Sequence, residues 1–258
     1  MNQLTRQAEL EALLGAFHLS SFNKHYQHFA RQAEKEKIDH VGYLYQLAKT
    51  ESEERQSRRT ERLMRHAKLP KGKRLDEFDL KRFSGFSESQ VNELADGQCL
   101  DNAENILIFG NPGTGKTHLA AALGLEWCQR GRQVLFTSAS ALVQDLLCAK
   151  RDLKLNGLLK KLDRFEALII DDISYIPQDR AETDVLFVLL SERYERRTIV
   201  ITSNLPFSQW DRIFKDTVTT MAAVDRLVHH STVLELNGES FRKQAATKKN
   251  KKASPTPN

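Results

Sequence analysis

Residues 105–117 read NILIFGNPGTGKT. An apolar run of strand length, Asn105–Phe109, breaks into a glycine-punctuated turn, and residues compatible with a helix follow from Lys116. The turn, Gly110–Thr117, satisfies the spacing G-x-x-x-x-G-K-[ST], and its place between a strand and a helix marks a phosphate-binding loop. Glycines at 110, 113 and 115 let the backbone curl so that its N–H groups point inward, while the helix start adds a positive dipole end. The binding set is then Gly110, Asn111, Pro112, Gly113, Thr114, Gly115, Lys116, Thr117 and His118. Lys116 is expected to neutralise the β- and γ-phosphates of ATP, and the Thr117 hydroxyl to ligate Mg2+. A plain glycine turn needs neither the lysine nor the hydroxyl.

Downstream of this loop, short β-branched runs alternate with segments of helical length. VLFTS, ALIID, TIVIT and TVLEL follow NILIF, separated by helices near 116–130, 140–163, 182–195 and up to about residue 229. Five strands joined by crossovers imply a parallel sheet with helices on both faces. In such sheets ligands lie at the carboxyl ends of the strands. ALIID ends at Asp171, 55 residues after Lys116, and Asp172 follows it. Asp171 fits the acid that holds hydrated Mg2+, and Asp172 the group that polarises the attacking water, although one of the pair could instead cap the next helix. Asn204, 33 residues after Asp171 in TIVITSN, stands at another strand end and is placed to orient that water.

Residues 1–69 hold almost no β-branched runs and no proline before Pro70, so they read as a small all-helical domain with breaks near Ser20-Ser21 and Asp39. Its last helix carries Arg55, Arg58, Arg59, Arg62 and Arg65 at spacings that put all five on one side. This stripe suits nucleic acid; a solvated helix knitted by Glu51–Arg55, Glu54–Arg58 and Glu61–Arg65 is the plainer alternative. Residues 70–104, opening with LPKGKRLDEFDL, read as a linker and lead-in to an ATPase domain at 105–240. Residues 241–258 form a basic tail without an acidic residue. Of the net charge of +5, both ends carry the excess: Lys and Arg outnumber Asp and Glu 12 to 9 in 1–70 and 6 to 0 in 241–258, against 21 to 25 between them. Cationic ends on a near-neutral middle point to a polyanionic partner such as DNA; for the tail alone, a solubilising end is the equal alternative.

At 40% hydrophobic and 28% charged, the 258 residues resemble a globular chain, and no run approaches a membrane span. Arg6, Glu9 and Glu11 break the N-terminus where an export signal needs an apolar stretch, so a cytoplasmic protein is expected. The three cysteines fit neither a disulfide framework nor a zinc site, and the pairs His25/His28 and His229/His230 lack the further ligands that a metal requires. Trp127 reads as core; Phe78 reads as packing, or as a wall for adenine.

GNPGTGKT, LIIDDISY, VITSNLPFSQW and AVDRLVHHSTVLELNGESFR, in that order and spacing, resemble the IstB-like ATPases. These are transposition helpers of bacterial insertion sequences, relatives of the DnaC helicase loaders and DnaA initiators in the AAA+ superfamily. The resemblance covers most of residues 40–243, including the arginine-rich helix and the linker. It implies an α/β AAA+ fold, a parallel five-stranded sheet sandwiched by helices. Asn204 becomes the sensor-1 residue, and Arg226 an arginine finger that reaches ATP held by a neighbouring subunit of a homo-oligomer; the plainer role for Arg226 is an ion pair with Asp225. In initiator-type relatives the segment matching residues 139–166 faces DNA, which nominates Lys150, Arg151, Lys154, Lys160 and Lys161, or else leaves them on a solvated face. Two departures stand out. Only 22 residues follow TVLEL, too few for the usual C-terminal helical lid, with Arg242 a weak substitute for its arginine. The chain also has Asp171-Asp172 where the superfamily mostly has Asp-Glu, and the shorter acid implies slow hydrolysis.

These readings converge on an ATP-dependent oligomer that binds duplex DNA without sequence preference and assists a transposase encoded by the same element, with no membrane partner. A helicase loader and a nucleotide-switched scaffold with negligible turnover are the rivals.

Overall fold

The computed structural model describes residues 3–83, 85–175, 180–212, 217–238 and 240, and divides into two units at Arg62/Leu63. The first unit contains α1 (Gln3–Ala16), α2 (Ser20–Glu36) and the greater part of α3 (His40–Ala67). Leu14, Ala33 and Leu47 are its buried apolar residues. So small a core needs polar support, and α3 provides it. No side chain caps α2 at Leu19; instead the Glu51 carboxylate, 5% exposed, accepts the Ser21 backbone N–H at 2.8 Å, and Glu54 accepts the Ser21 hydroxyl at 2.9 Å. Negative charge there also complements the helix dipole. Burial alone would raise the Glu51 carboxyl, but hydrogen bonds from Arg55 and Ser21 hold it below its ordinary value.

The second unit is built on a five-stranded sheet of β1 (Asn105–Gly110), β2 (Val134–Ser138), β3 (Ala167–Asp171), β4 (Thr198–Ser203) and β5 (Ser231–Leu236). The strand order is β2-β3-β4-β1-β5, and every pairing is parallel. Along β1 the side chains alternate between two cores. Ile106 and Ile108 pack with α6 (Lys116–Gln129), Trp127 and the phenylalanines at 78, 83 and 86, while Leu107 and Phe109 join the opposite core. That second layer holds α7 (Ala139–Arg151), α8 (Leu155–Leu162), α9 (Arg180–Arg193) and α10 (Thr217–Val228). The central strands β3, β4 and β1 are therefore buried on both faces, as their continuous apolar runs require, while the edge strand β5 alternates buried and exposed residues.

Two features depart from the outline read in the sequence. Within 70–104, the chain forms α4 (Glu88–Asp96) and α5 (Gln98–Asp101). A capping box starts α4: Ser87 Oγ accepts the Gln90 N–H at 3.2 Å, and the Gln90 side chain accepts the Ser87 N–H at 2.8 Å. The Leu94 carbonyl then accepts the Trp127 indole N–H at 2.8 Å. The stretch 140–163, read as one helical run, breaks in two at Leu153, which adopts a left-handed φ of 57°. Lys154 N–H donates to Ala149 O at 2.7 Å and Leu153 N–H to Lys150 O at 3.2 Å, the bond pattern that closes a helix when its next residue is left-handed. Glycine normally takes that place; a leucine pays roughly 1–2 kcal/mol for it.

Arg193, at the end of α9, is 1% exposed and donates to the carbonyls of Leu162 (2.9 Å), Phe165 (3.0 Å) and Thr198 (2.9 Å). It ties the turn before β3 to the start of β4; burial pushes its guanidinium down to about 10, still charged at neutral pH. Burial likewise raises the thiols of Cys99 and Cys128 to about 12 and about 11, which leaves both inert. Among the described residues, no helix is long and apolar enough to cross a membrane.

Candidate nucleotide-binding site

Strand order decides what meets at the phosphate loop. Because β4 lies between β1 and β3, the end of β4 stands between the loop after β1 and the acid that ends β3. The loop bends through glycine: Gly113 has φ 84°, and a Cβ on Gly110 would fall 2.6 Å from the Leu236 carbonyl oxygen. The Thr114 hydroxyl closes the turn on Asn111 O at 2.9 Å. Lys116, 7% exposed, donates from Nζ to Gly110 O at 2.7 Å, to Asn111 O at 3.0 Å and to Asn204 Oδ1 at 2.5 Å.

The second half of the site is a ladder of oxygens. Thr117 Oγ1 donates to Asp171 Oδ2 at 3.2 Å. On the other side of that carboxylate, Thr202 Oγ1 donates to Asp171 Oδ1 at 2.7 Å while accepting the Asp172 N–H at 2.8 Å. Asp172 sits at φ 59°, a conformation aspartate tolerates better than most residues, and its Oδ1 accepts Asn204 Nδ2 at 3.1 Å. Ser174 Oγ accepts the Asn204 N–H at 2.9 Å. The hydroxyl and carboxylate of Thr117 and Asp171 are hard oxygen donors, the set that suits Mg2+.

Lys116, Thr117, Asp171, Asp172, Thr202 and Asn204 line a cavity of about 500 Å³ together with Lys73, Glu77, Phe78, Pro112, Gly113, Gly115 and His118. That volume lies in the range of small-molecule sites. Phe78 is buried, stacked on Phe83 at 5.5 Å between ring centres and 5.4 Å from His118. It therefore both packs and walls the cavity. Thr202 and Ser174 were not legible as site residues, though Thr202 stands two residues before Asn204 and so on the same face of the chain.

The remaining nominated residues lie elsewhere. Arg226 on α10 is half-buried, with its guanidinium 5.0 Å from the centre of the Phe187 ring and Nη1 donating to Ala222 O at 3.2 Å. It does not line the cavity. Arg55 pairs with Glu51 and donates to His18 O at 2.8 Å, and Arg58 pairs with Glu54 at 3.1 Å, so these two help hold the first unit together. Arg59, Arg62 and Arg65 are exposed along the same helix, as are Lys150, Arg151, Lys154, Lys160 and Lys161 around α7 and α8. Among the described residues, the one grouping with metal-ligand spacing is Glu195 with His229 and His230, all exposed. Arg242 and the tail 241–258 lie outside the described residues.

A parallel sheet of this order, with a phosphate loop after β1, acids ending β3 and a polar residue ending β4, defines a P-loop ATP-binding protein of the AAA+ type. The model of the family described as IstB-like ATP binding protein matches residues 12–249, and the chain belongs to that family. It is 46% identical over 241 residues to an insertion-sequence ATP-binding protein of Sinorhizobium fredii, covering 93% of this chain and 81% of that one. It is 37% identical to the ATP-binding protein of insertion sequence IS21 from Pseudomonas aeruginosa, covering 91% and 88%. Among solved structures, the AMPPCP-bound DnaA of Aquifex aeolicus superposes with a TM-score of 0.56 at 19% identity, over 74% of this chain and 58% of that one. DnaI superposes at 0.53 with 21% identity, over 66% and 90%. At these identities the likeness is one of fold.

Proposed function

We propose that this chain is a slow, DNA-stimulated ATPase that assembles on duplex DNA and assists the transposase of its insertion sequence, in the cytoplasm. The observation that carries the reading is the junction of Lys116, Thr117, Asp171, Asp172 and Asn204 in one cavity at the carboxyl ends of three strands. Lys116, already aimed at the loop, would move from its carbonyl partners to the β- and γ-phosphates. Thr117 and Asp171 would hold Mg2+, which supplies charge neutralisation on the phosphates when bound. Asp172 would orient and polarise the water, with Asn204 bonded to both Asp172 and Lys116 and so sensing the nucleotide state. Arg226 lies away from its own cavity, which fits a guanidinium offered to a neighbour's ATP in a homo-oligomer. The exposed cations of α3, α7 and α8 would meet DNA phosphates, giving sequence-independent and salt-sensitive binding.

The test is duplex binding and phosphate release with and without ATP. Lys116→Ala should lose ATP binding and ATP-dependent assembly, whereas Asp172→Asn should hold ATP and accumulate on DNA. ATP-independent duplex binding by the wild type, or unaltered ATP affinity in Lys116→Ala, would sink the reading.

A further inference from the structure

Along the chain, His229 and His230 have no companion ligand close by. The fold supplies one. Glu195, in the turn after α9, brings Oε1 to 3.8 Å from Nδ1 of His229 and 3.7 Å from Nε2 of His230, and the three donor atoms lie within 4.8 Å of one another. The hydroxyl of Tyr194 stands 2.9 Å from the same His229 nitrogen. Two imidazole nitrogens, a carboxylate oxygen and a phenol oxygen therefore converge from two separate turns.

The backbone holds both turns in place. His229 N–H donates to Asp225 O at 2.9 Å, and the His230 carbonyl accepts the Asn105 N–H of β1 at 2.7 Å, which fixes the connection between α10 and β5 at both histidines. Their rings meet edge-on, 4.1 Å between centres. Across from them, the N–H groups of Arg196 and Arg197 both donate to Arg193 O at 3.0 Å, behind a guanidinium that is itself buried. Glu195 takes a left-handed φ of 56°, a place that glycine normally fills, and strain of this kind gathers at functional positions. Its arginine neighbours face elsewhere: Arg196 pairs with Asp163 at 2.8 Å, and Arg197 donates to Asp163 O at 3.1 Å. Among the described residues, the ion-pair partners of Glu195 are the two histidines.

Imidazole nitrogen with carboxylate oxygen is the donor set of borderline divalent cations such as Zn2+, whereas Mg2+ and Ca2+ take oxygen. At a tetrahedral centre with bonds of about 2.0–2.1 Å, neighbouring donor atoms lie about 3.4 Å apart. The two N···O spacings exceed that by only a few tenths of an ångström. The side chains are about half exposed, so small torsional changes close the gap. A simple ion pair needs one histidine; a cation uses every donor present. We infer that Glu195, His229 and His230 form a Zn2+-type cation site, with Tyr194 or water as the fourth donor. It shares no residue with the nucleotide cavity. Filled, it clamps the end of α10 to the turn after α9, the two helices across which Arg226 meets Phe187.

Full-length protein, freed of metal by a chelator and kept in excess Mg2+ to supply Thr117 and Asp171, is titrated with Zn2+ against a chromophoric chelator and with Co2+ for its visible spectrum. Wild type should take one Zn2+ per chain, unfold at a higher temperature as Zn2+ is raised, and give the intense bands of four- or five-coordinate Co2+. His230→Gln and Glu195→Gln should each weaken Zn2+ binding at least about tenfold, since even the outer partners of a ligand govern about 10–100-fold, and should lose the Co2+ bands. Both positions are exposed, so without metal the two variants should keep the urea midpoint of wild type. His25→Gln and Cys148→Ser, which alter the other histidine pair and an exposed thiol, should bind Zn2+ as wild type does. Wild type without saturable Zn2+ binding overturns the site. So does Zn2+ binding that survives in both His230→Gln and Glu195→Gln, or that disappears in His25→Gln or Cys148→Ser, because the ion then lies elsewhere and the cluster is an ion pair alone.

Discussion

Replacing Thr202 with valine changes little but the two hydrogen bonds of one hydroxyl. Valine has nearly the same shape, so the 1%-exposed position acquires no cavity. What disappears is a donor to the Asp171 carboxylate at 2.7 Å and an acceptor for the Asp172 N–H at 2.8 Å. A hydrogen bond to a charged group contributes about 1.5–3 kcal/mol, and an orphaned buried N–H costs about 1–3 kcal/mol. Asp171 and Asp172 are only half-buried, and water can take up part of the loss. The net expectation is about 2–4 kcal/mol, which at roughly 2–4 °C per kcal/mol lowers Tm by roughly 4–16 °C. The Asp171 carboxylate also loses its orientation toward Thr117. Outer partners of a metal ligand typically govern about 10–100-fold in metal affinity, so the Mg2+ needed for half-maximal binding of a fluorescent ATP analogue should rise by about tenfold or more. Thr202→Ser, which keeps the hydroxyl, should recover the Mg2+ dependence even where it loses some stability. Calorimetry and Mg2+ titration on the three proteins settle the point. A Thr202→Val protein with wild-type Mg2+ dependence would refute the claim that β4 sets the carboxylate.

Arg193→Met should cost about 3–5 kcal/mol, because it leaves the carbonyls of Leu162, Phe165 and Thr198 without their common donor, and Arg193→Lys should recover only part; a urea midpoint within experimental error of wild type would contradict this. Glu51→Gln should destabilise the first unit by about 1–2 kcal/mol at neutral pH through the lost helix cap. Since the folded Glu51 carboxyl titrates below its ordinary 4.5, its contribution is present above that value and is lost as pH falls through the lower folded one. The gap between wild type and Glu51→Gln in thermal unfolding should therefore close in acid, and a gap independent of pH would show that the charge is not what matters.

The residues that meet in the candidate site are largely legible because they lie in contiguous motifs. Gly110–Thr117 carries its own spacing rule, and Asp171 and Asn204 could be found because both end apolar strands. Thr202 and Ser174 were hidden by their own ordinariness: threonine is a strand former, and only the strand order, which no local pattern encodes, puts it beside Asp171. Helix α4 was masked by the Pro- and Gly-containing stretch before it, although the Ser87–Gln90 capping box was visible at S-x-x-Q spacing. The break at Leu153 could not be read at all. Leucine favours helix interiors, and the sequence around it keeps a helical apolar rhythm. Likewise the Glu51 cap joins residues thirty apart, beyond the reach of any capping rule.

In the proposed assembly, hydrolysis is divided between two chains, with ATP in the cavity of one and Arg226 of the other against it. Arg226→Ala should bind ATP normally yet lose DNA-stimulated phosphate release by about three or more orders of magnitude. Lys116→Ala should be inactive for the opposite reason. Mixed in equal amounts, with co-assembly on DNA verified by differently labelled chains, the two inactive proteins should regain a measurable fraction of wild-type phosphate release, because one supplies an intact phosphate loop and the other an intact arginine. Verified co-assembly without any recovered activity would contradict the shared site and return Arg226 to its contact with Phe187.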